Sequence, residues 1–82
     1  MSVHPIYYVI AERIRKERKK RRLSQRALAN LVGLTPARIS HMEGSRPEMP
    51  NLQSLVNVAE AMGLTIKIDF VKSTKQEGSA HD

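Results

Sequence analysis

The chain has 82 residues, no cysteine and a net charge of +6. That length makes one small domain, close to the size at which a single core is marginal and dimerisation is a common remedy. The missing cysteine excludes disulfides and thiolate metal sites. Its apolar runs are far too short for a membrane span, and MSVHPIYY has neither the charged nor the apolar region of a secretory leader, so the expected compartment is the cytoplasm.

Residues 1–5 read as an N-terminal extension. A first helix is expected from about Ile6 to about Lys20, with Ile6, Ile10 and Ile14 recurring at i, i+4 on one face. Ser24 is a natural N-cap for a second helix, Gln25–Val32, whose apolar stripe is Ala27, Leu28, Leu31 and Val32. Gly33 supplies a residue able to take positive φ at a sharp turn. Thr35 is a second N-cap, Pro36 occupies the first helical position, and Ile39 and Met42 mark the inner face of a third helix, Pro36–Met42. Gly44–Pro50, with one glycine and two prolines, reads as a loop. Asn51 caps a fourth helix with Leu52, Leu55, Val56, Ala59 and Met62 as its stripe and Gly63 beyond its end.

The period then changes from helical to alternating. Leu64, Ile66, Ile68 and Phe70 fall on one face, and Thr65, Lys67 and Asp69 on the other, the pattern of a half-buried strand. No second segment of the chain has this pattern, and a lone strand leaves its backbone groups unpaired. The simplest partner is the same strand of a second copy, giving an antiparallel ribbon on a two-fold axis. A register centred on Ile68 sets Lys67 opposite Asp69 of the partner subunit and keeps the apolar face continuous. Residues 71–82 read as a flexible polar tail.

Charge singles out the first helix and its exit. Residues 12–26 hold nine cations against Glu12 and Glu17, whereas the remaining positions hold five cations and six acids. A concentrated basic stripe favours polyanions. A helix, a glycine turn and a second short helix make a helix-turn-helix, which names double-stranded DNA as the partner. At 100° per residue, with Ile39 inward, Ala37 and His41 point outward, Arg38 and Ser40 lie on the flanks, and Thr35, Met42 and Glu43 fall back toward the core. The expected base-reading set is Thr35, Pro36, Ala37, Arg38, Ser40 and His41. The expected phosphate-binding set is Arg22, Ser24, Gln25, Arg26 and Arg46. Arg18, on the apolar stripe of the first helix, and Glu43, inward on the third, each stand on a face unsuited to a lone charge. They are expected to form a buried ion pair that fixes the recognition helix. His4, His41 and His81 are too dispersed for a metal site, and no grouping of nucleophile, base and acid is present, so no catalytic residue, metal or cofactor is expected.

Leu23–Ala29, Val32–Thr35 and Ile39–Gly44 together resemble the lambda-repressor/Cro-type (XRE) helix-turn-helix family. The resemblance covers roughly 6–70 and implies a mainly α, four-helix lambda-repressor-like domain over 6–63. It implies that Gln25 contacts phosphate, that Thr35–His41 enters the major groove, and that Arg18 and Glu43 pair. The chain departs from the family at Glu17, where an apolar residue is usual, and at Arg22, where glycine is usual. A four-helix domain followed by Gly-Leu-x-Ile-x-Ile-x-Phe is similar to HipB-type antitoxins. That similarity implies a C-terminal β-strand, 64–70, pairing across a homodimer through Leu64, Ile66, Ile68 and Phe70. It also implies palindromic operators and a HipA-type kinase toxin as partner. The function expected is a homodimeric, sequence-specific DNA-binding repressor and the autoregulating antitoxin of a toxin-antitoxin operon. The alternatives are a free-standing regulator of the same family, a protein-binding antitoxin with secondary DNA binding, and a non-specific basic nucleic-acid binder.

Overall fold

A computed structural model describes residues 4–44, 47 and 51–73. Four helices follow one another: α1 Pro5–Lys20, α2 Gln25–Val32, α3 Pro36–Glu43 and α4 Leu52–Ala61. Helix α2 packs against both α3 and α4, and α1 packs against α3. Each helix contributes to a single core of Ile14, Leu28, Ala29, Ile39, Met42, Val58 and Met62. Full burial of side chains such as Leu28, Ile39 and Val58 stabilises the domain by about 1.5–3 kcal/mol each.

Helix starts follow a shared chemistry. Ser24 Oγ accepts from the Ala27 N–H at 2.9 Å, Thr35 Oγ1 from Arg38 at 3.1 Å and Asn51 Oδ1 from Ser54 at 2.9 Å. Helix α1 begins at Pro5, one residue before the sequence expectation, because His4 serves as its cap: Nδ1 accepts from the Ile6 N–H at 3.1 Å. Histidine is not among the preferred N-cap residues, so the sequence carries little signal for this start.

Three helices share one kind of stop. After α1, Arg22 has φ 57°; after α2, Gly33 has φ 72°; after α4, Gly63 has φ 76°. The next residue is a leucine each time. The N–H groups of Leu23, Leu34 and Leu64 donate back to the carbonyls of Arg18, Ala29 and Ala59 at 3.1, 3.0 and 2.9 Å. These are Schellman-type closures, in which the residue beyond the left-handed position reaches the carbonyl five residues back. All three leucines also pack against the core. At two stops the left-handed residue is glycine; at the third it is Arg22, where a side chain makes that conformation costly.

Three apolar residues placed in the core by periodicity lie outside it. Leu31 is 61 % exposed, because the buried arc of α2 centres between Leu28 and Ala29 and Leu31 lies roughly 110° from that centre. Leu52 is exposed and Val58 is fully buried: the inner face of α4 runs Leu55, Val58, Met62 rather than through Leu52. Ile6 is exposed together with Tyr7, Tyr8 and Val9, since the first turns of α1 outrun the core. Beyond α4, Leu64 and Ile66 are half-buried, while Ile68 and Phe70 are exposed, Phe70 at 96 %. Among the described residues no β-strand is formed; a strand is a ladder shared with a neighbour, and no second segment of the chain has the matching pattern. The expected loop 44–50 and tail 71–82 lie largely outside the described residues.

Replacing Arg22 by glycine is expected to raise stability by about 1 kcal/mol, and Gly63→Ala to lower it by about as much. Urea denaturation of the two variants measures this; no gain from Arg22→Gly means that its backbone carries no strain.

Candidate nucleic-acid interface

Helix α3 presents a divided surface. Ile39, Met42 and Glu43 are buried, whereas Pro36, Ala37, Arg38, Ser40 and His41 are exposed on the opposite side. Thr35 is exposed as well, contrary to its inward placement by the helical wheel. As N-cap it has φ −88° and ψ 154°, so the 100° step does not yet apply to it. Its hydroxyl oxygen is occupied by the Arg38 N–H, which holds the first turn of α3 in place.

The N-terminus of α2 meets the end of α3 through Gln25 and Glu43. Arg22, Ser24 and Arg26 are exposed there, and Gln25 is half-buried. First-turn N–H groups and cations at a helix start are suited to a phosphate. The Ser24 hydroxyl oxygen is committed to capping. Gln25 is tied inward as well, its Nε2 donating to Glu43 Oε1 at 3.2 Å. That contact of Gln25 has no signal in the sequence. Arg46 lies outside the described residues.

A buried ion pair holds the two helices in this relation. Arg18 donates to Glu43 through Nε at 2.7 Å and Nη2 at 2.8 Å, a bidentate pair, and its Nη1 donates to the Leu23 carbonyl at 2.8 Å. One guanidinium thus joins α1, the turn into α2 and the end of α3. The two side chains are only 10 % and 3 % exposed. Hydrogen bonding to Glu43 raises the Arg18 pKa further, so the guanidinium stays charged. Arg15 adds a contact the sequence reading did not include: its Nη1 donates to the Glu43 main-chain carbonyl at 2.9 Å. Its position three residues before Arg18, on the same face of α1, is the one signal that marks it.

Glu17 is the second buried acid of α1's surroundings. Arg21 Nη1 donates to its Oε1 at 2.6 Å, Arg13 Nε to its Oε2 at 2.7 Å, and Lys20 Nζ stands 3.9 Å away. Arg21 first and Arg13 next hold its carboxyl down at about 2. The charged residue in an apolar position of the family pattern is thereby satisfied by its own helix.

The family profile described as Helix-turn-helix domain matches residues 8–70, well over half of the chain. The chain belongs to that helix-turn-helix family. Among solved structures, a chain of the "Structure of HipA-HipB-O2-O3 complex" superposes with a TM-score of 0.69 and 19 % identity, covering 88 % of this chain and 99 % of that one. At that identity the likeness is one of fold, and it is the four-helix fold of this helix-turn-helix domain. Two structures of HppE, one with iron(II) and substrate and one with cobalt(II) and Tris buffer, superpose with a TM-score of 0.65 and 25 % identity over 72 % of this chain. The chain spans only a third of the length of those HppE chains. Curated proteins yield no significant match. Among the described residues no group of three His, Cys, Asp or Glu side chains converges as metal ligands would, and no helix is long and apolar enough to cross a membrane.

Two outcomes test this helix-turn-helix frame. Glu43→Gln, which leaves Arg18 without its counter-charge, is expected to lower stability by about 3 kcal/mol, measured by urea denaturation; an unchanged midpoint means the pair is not buried in solution. The Glu17 carboxyl has a folded pKa of about 2 against an ordinary 4.5, so its stabilisation is present above pH 4.5 and lost as pH falls through about 2. The gap in stability between wild type and Glu17→Gln is therefore expected to shrink over that interval, and a gap independent of pH contradicts the assignment.

Proposed function

We propose that the protein is a sequence-specific transcriptional repressor acting as a homodimer on a palindromic DNA operator in the cytoplasm. The observation that carries this reading is the division of α3: an inner face locked by Ile39, Met42 and Glu43, and a solvent-exposed outer face of Thr35, Pro36, Ala37, Arg38, Ser40 and His41. Arg38, Ser40 and His41 supply hydrogen-bonding groups for base edges in the major groove, and Ala37 suits a thymine methyl. Arg22, Gln25, Arg26 and Arg46 grip phosphates, with Ser24 organising the helix start between them. Three polar readers are few, so DNA shape contributes to the choice of site.

Support for the dimer comes from the segment after α4. Leu64, Ile66, Ile68 and Phe70 alternate with polar residues, and the last two turn large apolar side chains to solvent. Pairing this segment with its copy in a second subunit covers them and sets two α3 helices at a fixed distance. Half-sites about one helical turn apart then follow, roughly 34 Å. The fold likeness to a chain of the HipA-HipB-O2-O3 complex favours a second role, that of an antitoxin which binds a HipA-type kinase and represses the operon encoding both. A free-standing regulator remains the alternative; co-purification with a kinase encoded next to this gene separates the two.

Selection of bound sites from random duplex DNA is expected to return an inverted repeat with that spacing. Arg38→Ala and His41→Ala are expected to relax preference at single positions, each by about 1–3 kcal/mol, while Arg26→Ala weakens all duplexes alike. The reverse assignment of effects, or an unselective pool, contradicts the reading. Solution mass of a chain lacking residues 64–70 tests the dimer: a monomer is expected, and an intact dimer rules the strand out as the interface.

A further inference from the structure

Glu17 is an acid set against its surroundings. It stands in the last turn of α1, where the helix dipole favours cations, and it is 5 % exposed within the most cationic stretch of the chain. A buried carboxylate costs free energy unless paired and hydrogen-bonded. Here that pairing engages Arg13, Lys20 and Arg21 at 2.7, 3.9 and 2.6 Å. Arg21 is held twice, because the same Nη1 also donates to the Glu17 main-chain carbonyl at 2.9 Å. Arg21 is moreover the C-cap of α1, three residues before Ser24, the N-cap of α2. Arg21 thus stands in the short connection that leads into the helix start read above as the phosphate site. Arg22 and Arg26, on either side of the same helix start, meet no side-chain partner among the described residues.

We propose that Glu17 is a specificity-determining positioning residue, which withholds Arg21 and Arg13 from the DNA backbone and leaves the phosphates to Arg22, Arg26 and the start of α2. This rests on the DNA-binding reading above and adds a limit to it. Sequence-independent binding scales with the number of phosphates neutralised, each contributing about 0.9 to the slope of log affinity against log salt. A guanidinium already donating to a carboxylate has its charge cancelled locally, and its N–H groups must leave that partner before they can reach a phosphate. Of the nine cations in residues 12–26, those clustered on Glu17 therefore add little to non-specific affinity. Operator binding, which draws on base contacts as well, loses proportionately less, so the ratio of specific to non-specific affinity widens.

The test measures affinity for a random-sequence duplex across a salt series, using the full chain and variants shown to be folded by circular dichroism. Arg26→Gln is expected to lower the salt slope by about 0.9, the value for one phosphate contact, and Arg21→Gln to leave it unchanged. Glu17→Gln is expected to steepen the slope by roughly one to two and to tighten random-duplex binding, whereas the double variant Glu17→Gln, Arg21→Gln falls back toward wild type. An Arg21→Gln slope reduced as much as that of Arg26→Gln overturns the inference without recourse to any Glu17 variant, since Arg21 is then already on the backbone. Wild-type protein that binds no duplex at low salt overturns the DNA-binding reading itself, and this inference with it.

Discussion

The pairing of Arg18 with Glu43 is the constraint on which the rest of the molecule turns. Helices α2 and α3 are eight residues each, too short to hold their own conformation in water, so their geometry must come from packing. Leu28, Ile39 and Met42 supply the packing but not its direction, because dispersion and apolar burial are non-directional. A bidentate guanidinium–carboxylate pair has a fixed plane and fixed distances. By joining α1, the turn at Leu23 and the last residue of α3, it converts a loose apolar cluster into a defined angle between helices. Gln25 and Arg15 extend that tie to the start of α2 and to the main chain of α3.

Both buried acids therefore work on cations of α1, but to different ends. Glu43 takes a cation from another helix and fixes tertiary structure. Glu17 takes cations from its own helix and that helix's C-cap, at i−4, i+3 and i+4, and leaves the fold's topology untouched. The Glu17–Arg21 pair has the favoured polarity for a helix, acid before base, whereas Arg13–Glu17 has the reverse. A formal charge count over residues 12–26 thus overstates the cations available to a partner.

Sequence legibility varied with the kind of signal. The bounds of α2 are readable from Ser24 and Gly33, and α3 extends one residue beyond its expected end, to Glu43, because caps and turn residues act locally. The Arg18–Glu43 pair was readable because each charge fell on an apolar stripe. Misreadings arose where several helical faces fit the same residues: Leu31 and Leu52 share the periodicity of the true core positions, and Val58 is separated from the proposed stripe by a single step of the wheel. Glu17 was visible as an anomaly, yet its three partners depend on rotamers that periodicity does not specify. On α3 the exposed side, Pro36, Ala37, Arg38, Ser40 and His41, is legible from the helical wheel; Thr35 is not, because an N-cap precedes the regular helical step, and neither is the contact of Gln25 with Glu43.

The leucines that follow the left-handed residues carry a kinetic consequence. At Leu23, Leu34 and Leu64 the bond that ends a helix and the side chain that enters the core belong to one residue. Forming the helix stop thus also sets an apolar side chain in position for the core, and the stop itself spans only five residues of chain. Closing so short a loop takes on the order of 10–100 ns, far faster than the search for distant pairings. The helix ends can therefore be in place before the distant pairings, such as Arg18 with Glu43, are found.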